Sequence, residues 1–124
     1  MANVDLPVAD GNPIDIVNGS SVGYNFGAVN GPNGFMIFPN WADGINAAAQ
    51  SLRNYAQSGT TIEQLINIWA PPKTNPNAMA NTLSDLGMTE SMAGATYLSD
   101  LTASQVIQFI AAFAWQEGFK LQGC

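Results

Sequence analysis

From residue 41 onward, apolar positions recur at spacings of three and four between strong stops. Before residue 34 they do not. Ile45, Ala48, Ala49, Leu52, Tyr55 and Ala56 fall on one face of a helix predicted over 41–57. Pro39-Asn40 precedes that helix and Gly59 follows it, as a C-terminal glycine does. Ile62, Leu65, Ile66 and Trp69 form the stripe of a second helix that ends at Pro71-Pro72, where neither proline can donate a helical hydrogen bond. Thr60 or Thr61 is its expected cap, with Thr60 and Glu63 spaced as a capping box. A third, shorter helix is predicted from Asn75 or Asn77 to about Leu86, with Met79, Leu83 and Leu86 inward and Gly87 closing it. Residues 88–99 read as a loop with room for one helical turn. Asp100 or Thr102 caps a last helix, where Val106, Phe109, Ile110, Phe113 and Ala114 face the core and which Gly118 ends.

The first 34 residues are punctuated by the turn dipeptides Asp10-Gly11, Asn18-Gly19 and Asn30-Gly31. Short β-favouring pieces lie between and after them: Ile14 to Val17, Val22 to Phe26, and Phe35 to Phe38. The expected architecture is mainly α, with about four helices and a loop-rich N-terminal arm carrying short β-strands. Residues 1–34 form the arm and 35–124 the helical part, within one compact domain. A length of 124 residues suits one domain whose core needs no disulfide.

Composition removes several chemistries. Three basic residues, Arg53, Lys73 and Lys120, face nine acidic ones for a net charge of -6. That balance cannot supply the clustered cations that nucleic-acid binding requires. With no histidine, the chain cannot hold a Ser-His-Asp triad, a Cys-His pair or a His-ligated zinc site. Cys124 is the only cysteine, so an internal disulfide is impossible; it is either a frayed terminal residue or an intermolecular thiol. The longest apolar stretch, Val106 to Trp115, falls short of the roughly 20 residues of a membrane helix. Residues 1–20 lack the basic and apolar regions of a secretory signal, so export is expected only inside a particle or by lysis.

The segment from Phe35 to Met88 resembles a family of small proteins encoded by tailed phages, membrane-containing phages and prophages. The resemblance rests on Phe35 and Phe38, Gly44-Ile45-Asn46-Ala47 with Leu52 and Tyr55, Thr61-Ile62, Trp69-Ala70-Pro71-Pro72 followed by Asn75, and Leu86-Gly87. Gln116-Glu117-Gly118 stands where the family's final element falls, and Gly11-Asn12-Pro13 echoes an early Asn-Pro-Gly-Asn element. Members are virion structural proteins or suspected lysozyme-like peptidoglycan hydrolases. The resemblance therefore implies a phage origin and admits a lysozyme-like α+β arrangement. The chain departs from the pattern in its early motif, in the basic residue before it and in the histidine before the final glutamate, and these departures weigh against catalysis.

Glu117 is the candidate catalytic residue. It shares a helical face with Val106, Ile110 and Phe113, and an apolar wall of Trp115 and Phe119 would favour the protonated form that a glycosidase general acid needs. The competing reading is a last-turn glutamate paired with Lys120 or Arg53. Asp15, Asp43 and Glu63 are the candidate second carboxylates, although Glu63 also reads as a cap and Asp43 as a favourable charge in a helix first turn. A single-glutamate lytic mechanism would need no partner. Trp41, Tyr24, Asn75 and Asn77 are candidate binding residues for a saccharide, with core packing and turn formation as their alternatives. Trp69 reads as core. No metal and no cofactor are expected.

The function expected from these readings is that of a phage virion-associated structural protein, a capsid, spike or tail component. It would bind other virion proteins as a homo- or hetero-oligomer, or bind peptidoglycan, and reside in the virion or, before assembly, in the infected cytoplasm. An active peptidoglycan hydrolase with Glu117 as general acid is the alternative. A small regulatory or host-interaction protein made during infection is the third.

Overall fold

A computed structural model describes residues 11–116. In chain order the elements are α1 (Ser21–Asn25), β1 (Val29–Asn30), β2 (Met36–Ile37), α2 (Trp41–Ala56), α3 (Ile62–Trp69), α4 (Ala78–Leu86), α5 (Glu90–Ala95), a 3-10 turn (Leu98–Asp100) and α6 (Ala103–Gln116). The protein is mainly helical with a small two-stranded antiparallel sheet near its N-terminal end, as the periodicity predicts.

The helix boundaries follow from local chemistry. The Asn40 side chain accepts the Asp43 amide and starts α2. Thr61 and Gln64, not Thr60 and Glu63, form the capping box of α3: Thr61 Oγ1 accepts the Gln64 amide at 3.2 Å, and Gln64 Oε1 accepts the Thr61 amide at 2.9 Å. Shifting the box by one residue puts Ile62, Leu65 and Ile66 inward and leaves the Thr60 carbonyl to accept the Leu98 amide. Gly87, left-handed at φ 66°, closes α4. Thr102 and Gln105 form the box that opens α6.

Two further sequence expectations are corrected. Val22 to Phe26 is no strand: it lies on α1 and its C-cap, because Ser20 accepts the Gly23 amide and nucleates a turn of helix. Gly23 there is pressed on Met36, and an added Cβ would lie 2.2 Å from the methionine sulfur. β2 pairs with Val29–Asn30, in the register Val29 to Ile37 and Asn30 to Met36. Residues 88–99 also hold more than one turn. Thr89 caps α5 by accepting the Met92 amide, and the 3-10 turn follows. Six residues with a glycine at 94 are too few to show a helical period.

One core joins the first and last described segments. Ile14, Ile16, Ala28, Met36 and Phe38 from the first strands and turns pack with Ala47, Ala48 and Leu52 of α2, Leu65 and Ile66 of α3, and Phe109, Ile110 and Phe113 of α6. Trp69 sits against this core as expected, its ring 5.3 Å from Phe113 in an edge-on contact and 6.0 Å from Phe109.

Asn12 ties the N-terminal segment down. It is fully buried, its Nδ2 donates to the carbonyls of Ile16 (2.9 Å) and Met36 (3.0 Å), and its Oδ1 accepts the Ile16 amide (2.8 Å). The segment crosses α2 at Gly44, where an added Cβ would lie 1.8 Å from the Gly11 carbonyl oxygen. Glycine at 44 is therefore required by close approach.

Candidate binding groove between α4 and α6

α4 and α6 make the most extensive helix–helix contact of the described residues. Their outer edges diverge into a shallow groove open to solvent. Asn81, Ser84 and Asp85 line it from α4, and Gln108, Trp115 and Gln116 line it from α6. It continues past Leu86 to Met88, Leu101 and Gln105. The helical stripes explain this placement. Leu83 and Phe109, Ile110 and Phe113 fill the interface, so their neighbours on the helix flanks, Asp85 and Ser84 on one side and Gln108 and Trp115 on the other, border the crevice.

The groove's chemistry is that of recognition. Trp115, 53% exposed, offers a flat apolar ring. The amides of Asn81 and Gln108 and the hydroxyl of Ser84 offer donors and acceptors, whereas Gln116 Nε2 is buried, with no hydrogen-bond partner among the described residues. Asp85 is the one acidic residue among the described lining residues. A single carboxylate with amides around it can orient a polar ligand, but it does not make the two-carboxylate arrangement of a glycosidase.

Trp115, which the sequence offers as an apolar wall, lines the groove; the candidate catalytic and binding residues fall elsewhere. Glu117 lies outside the described residues, directly after the groove residue Gln116 and two positions beyond Trp115. Cys124, Lys120 and Phe119 lie outside them too. Tyr24 is on α1, exposed, and its hydroxyl donates to Asn30 Oδ1 at 2.8 Å. Trp41 is half-buried at the start of α2. Asn75 and Asn77 belong to the connection between α3 and α4. The Asn75 amide donates to the Pro71 carbonyl, its Nδ2 donates to Thr74 Oγ1 at 3.0 Å, and its carbonyl accepts the Ala78 amide. Asn77 opens α4 without a side-chain cap bond. These bonds are those of a turn between helices. None of the four borders the α4–α6 groove. Asp85, Gln108, Asn81 and Ser84 escaped the sequence reading because only helix pairing brings them together; their one signal was adjacency to the apolar stripes.

The candidate second carboxylates are also dispersed. Asp43 is in the first turn of α2, where the helix dipole favours it. Asp15 stands at φ 55°, in the left-handed region. Glu63 lies across α5: an added Cβ on Gly94 would be 3.2 Å from Glu63 Oε1. The Glu63 carboxyl is held above its ordinary value, first by a hydrogen bond with Glu90, then by burial and by the Glu90 charge. Among the described residues no three acidic or cysteine side chains come together to hold a metal ion, and no helix is long and apolar enough to cross a membrane.

Compared with known protein families and with curated proteins, the chain matches none.

Proposed function

We propose that this is a phage virion-associated protein, a capsid, spike or tail component, that works by binding neighbouring virion proteins or the cell wall. The observation that carries the binding half is the α4–α6 groove: an exposed indole and a row of amides around one carboxylate, with no second acid beside it among the described residues. The sequence resemblance of Phe35 to Met88 supplies the phage context. Low charge also suits the wet, hydrogen-bonded contacts between subunits. The test is recovery. The protein should be found in stoichiometric amounts in purified particles, and its recovery should fall on Trp115→Ala with the fold intact. Absence from particles sinks the reading and favours a regulator made during infection.

The second reading is a peptidoglycan hydrolase with Glu117 as general acid. It is favoured by one feature, the groove's run along α6 to Gln116, the residue before Glu117. In that reading Asp85 replaces Asp15, Asp43 and Glu63 as the carboxylate to examine. Muropeptide release by the wild type and not by Glu117→Gln would establish it. No release by a folded wild-type protein would remove it.

A further inference from the structure

The chain holds three Asn-Gly dipeptides: Asn18-Gly19, Asn30-Gly31 and Asn33-Gly34. Asparagine is chemically labile, and most so before glycine. The backbone nitrogen of the following residue can attack the side-chain carbonyl carbon, and glycine has no Cβ to obstruct it. Attack needs a free amide nitrogen, a side chain able to turn towards it and a backbone able to bend. The fold treats the three sites differently.

The first two hold each other's attacking nitrogen. The Gly19 amide, the nucleophile for Asn18, donates to Asn30 Oδ1 at 3.0 Å. The Gly31 amide, the nucleophile for Asn30, donates to Asn18 Oδ1 at 2.8 Å. The side chains are engaged further. Asn18 Nδ2 donates to the Gly31 carbonyl at 2.8 Å, and Asn30 Oδ1 also accepts the Tyr24 hydroxyl. Asn30 is fixed by its antiparallel pairing with Met36. Gly31 is hemmed in, since an added Cβ would collide with the Phe35 carbonyl oxygen.

Asn33-Gly34 has none of these restraints. Both residues are exposed, in the connection between β1 and β2. Among the described residues neither the Asn33 side chain nor the Gly34 amide has a hydrogen-bond partner. Gly34 stands in open space at φ 91°, with nothing within 4 Å of an added Cβ.

We propose that Asn33 is a deamidation site, with water as the co-reactant. The Gly34 nitrogen attacks Asn33 Cγ and a bond forms between them. The Cγ–Nδ2 bond breaks, and the side-chain nitrogen leaves as ammonia, carrying the proton that the Gly34 amide gives up. Water then opens the cyclic imide at either carbonyl, leaving aspartate or isoaspartate at 33. Nothing is oxidised or reduced. The product adds a carboxylate to residues 11–42, where Asp15 is the only charged residue. The isoaspartyl form also lengthens the main chain by one carbon just before Gly34, whose carbonyl accepts the Asn18 amide at 3.0 Å.

Incubation of the full chain in neutral to mildly alkaline buffer, followed by peptide mapping with mass spectrometry, tests it. Asn33 should convert to a mixture of aspartate and isoaspartate. Asn18 and Asn30 should convert at least about tenfold more slowly, because their nucleophiles must first leave hydrogen bonds. In urea the three sites should react at comparable rates, since the restraint belongs to the fold. Asn33→Gln should remove the fast conversion, because its longer side chain closes a less favourable ring. Asn18→Ala, with the fold checked by circular dichroism, should free the Gly31 amide and speed conversion at Asn30. A folded wild type that converts at Asn18 or Asn30 as fast as at Asn33 overturns the inference. So does an Asn33 that stays intact in the folded chain over the time in which the urea-unfolded chain converts. A folded Asn18→Ala variant with Asn30 unchanged overturns the mutual restraint on which the choice of Asn33 rests.

Discussion

The carboxyl groups of Glu63 on α3 and Glu90 at the start of α5 share a hydrogen bond, although both are acids in an acidic chain. Two carboxyls can bond only when one carries the proton, so the contact favours protonation of Glu63. Its folded-state value is raised above the ordinary 4.5 expected in the unfolded chain. The stability it contributes is present in full below that ordinary value and is lost as pH rises through the raised one. Melting curves should show this as a loss of stability on going from mildly acidic to neutral pH. Glu90→Gln should flatten that slope, since a glutamine can donate to ionised Glu63. An unchanged slope in the variant would mean that the pair does not titrate as described.

Asn12→Ala should destabilise the protein by about 3 kcal/mol, because it strips partners from three backbone groups around a fully buried site. Asn12→Asp should be no better, since a carboxylate would face the carbonyls of Ile16 and Met36. Urea unfolding measures both; a loss below about 1 kcal/mol for Asn12→Ala would mean that water replaces the side chain without penalty.

Gly44→Ala and Gly94→Ala should differ in sign. Both residues are helical, where alanine is preferred to glycine by about 1 kcal/mol. At 44 the new Cβ would meet the Gly11 backbone carbonyl at 1.8 Å, and the N-terminal segment must move. At 94 its nearest neighbour is the end of the flexible Glu63 side chain at 3.2 Å, which can swing aside. Denaturant midpoints should fall for the first variant and hold or rise for the second.

Thr82→Val should stabilise the protein by about 1 kcal/mol. Thr82 is fully buried on α4 and its hydroxyl has no hydrogen-bond partner among the described residues. Valine has the same shape without the stranded polar atom. A lower melting temperature for the variant would show that the hydroxyl is satisfied in solution.

Legibility in the sequence tracked the length of the pattern. α2, α3, α4 and α6 repeat their apolar residues often enough to outweigh local ambiguity, and Gly59, Pro71-Pro72 and Gly87 mark their ends. α1 and α5, at five and six residues, are too short for that, and the β-favouring Val22 and Tyr24 misled because Ser20 supplied a cap. The shift of the α3 capping box from Thr60 to Thr61 was a choice between two adjacent threonines that only burial of Ile62 could make. For the groove, Asp85 and Leu86 carry no mark in the sequence that they will line one crevice with Gln108 and Trp115.

The sequence by itself determined the helical class, the principal stops and the core stripe of α6, because periodicity and backbone chemistry act within a few residues of the chain. Tertiary structure decided that Val29–Asn30 pairs with β2, that Gly11 lies on Gly44, that Glu63 meets Glu90, and that α4 and α6 open a groove at Asp85 and Trp115. Those relationships join residues far apart in the chain. They depend on how helices and strands fill one core, which short-range preferences do not encode.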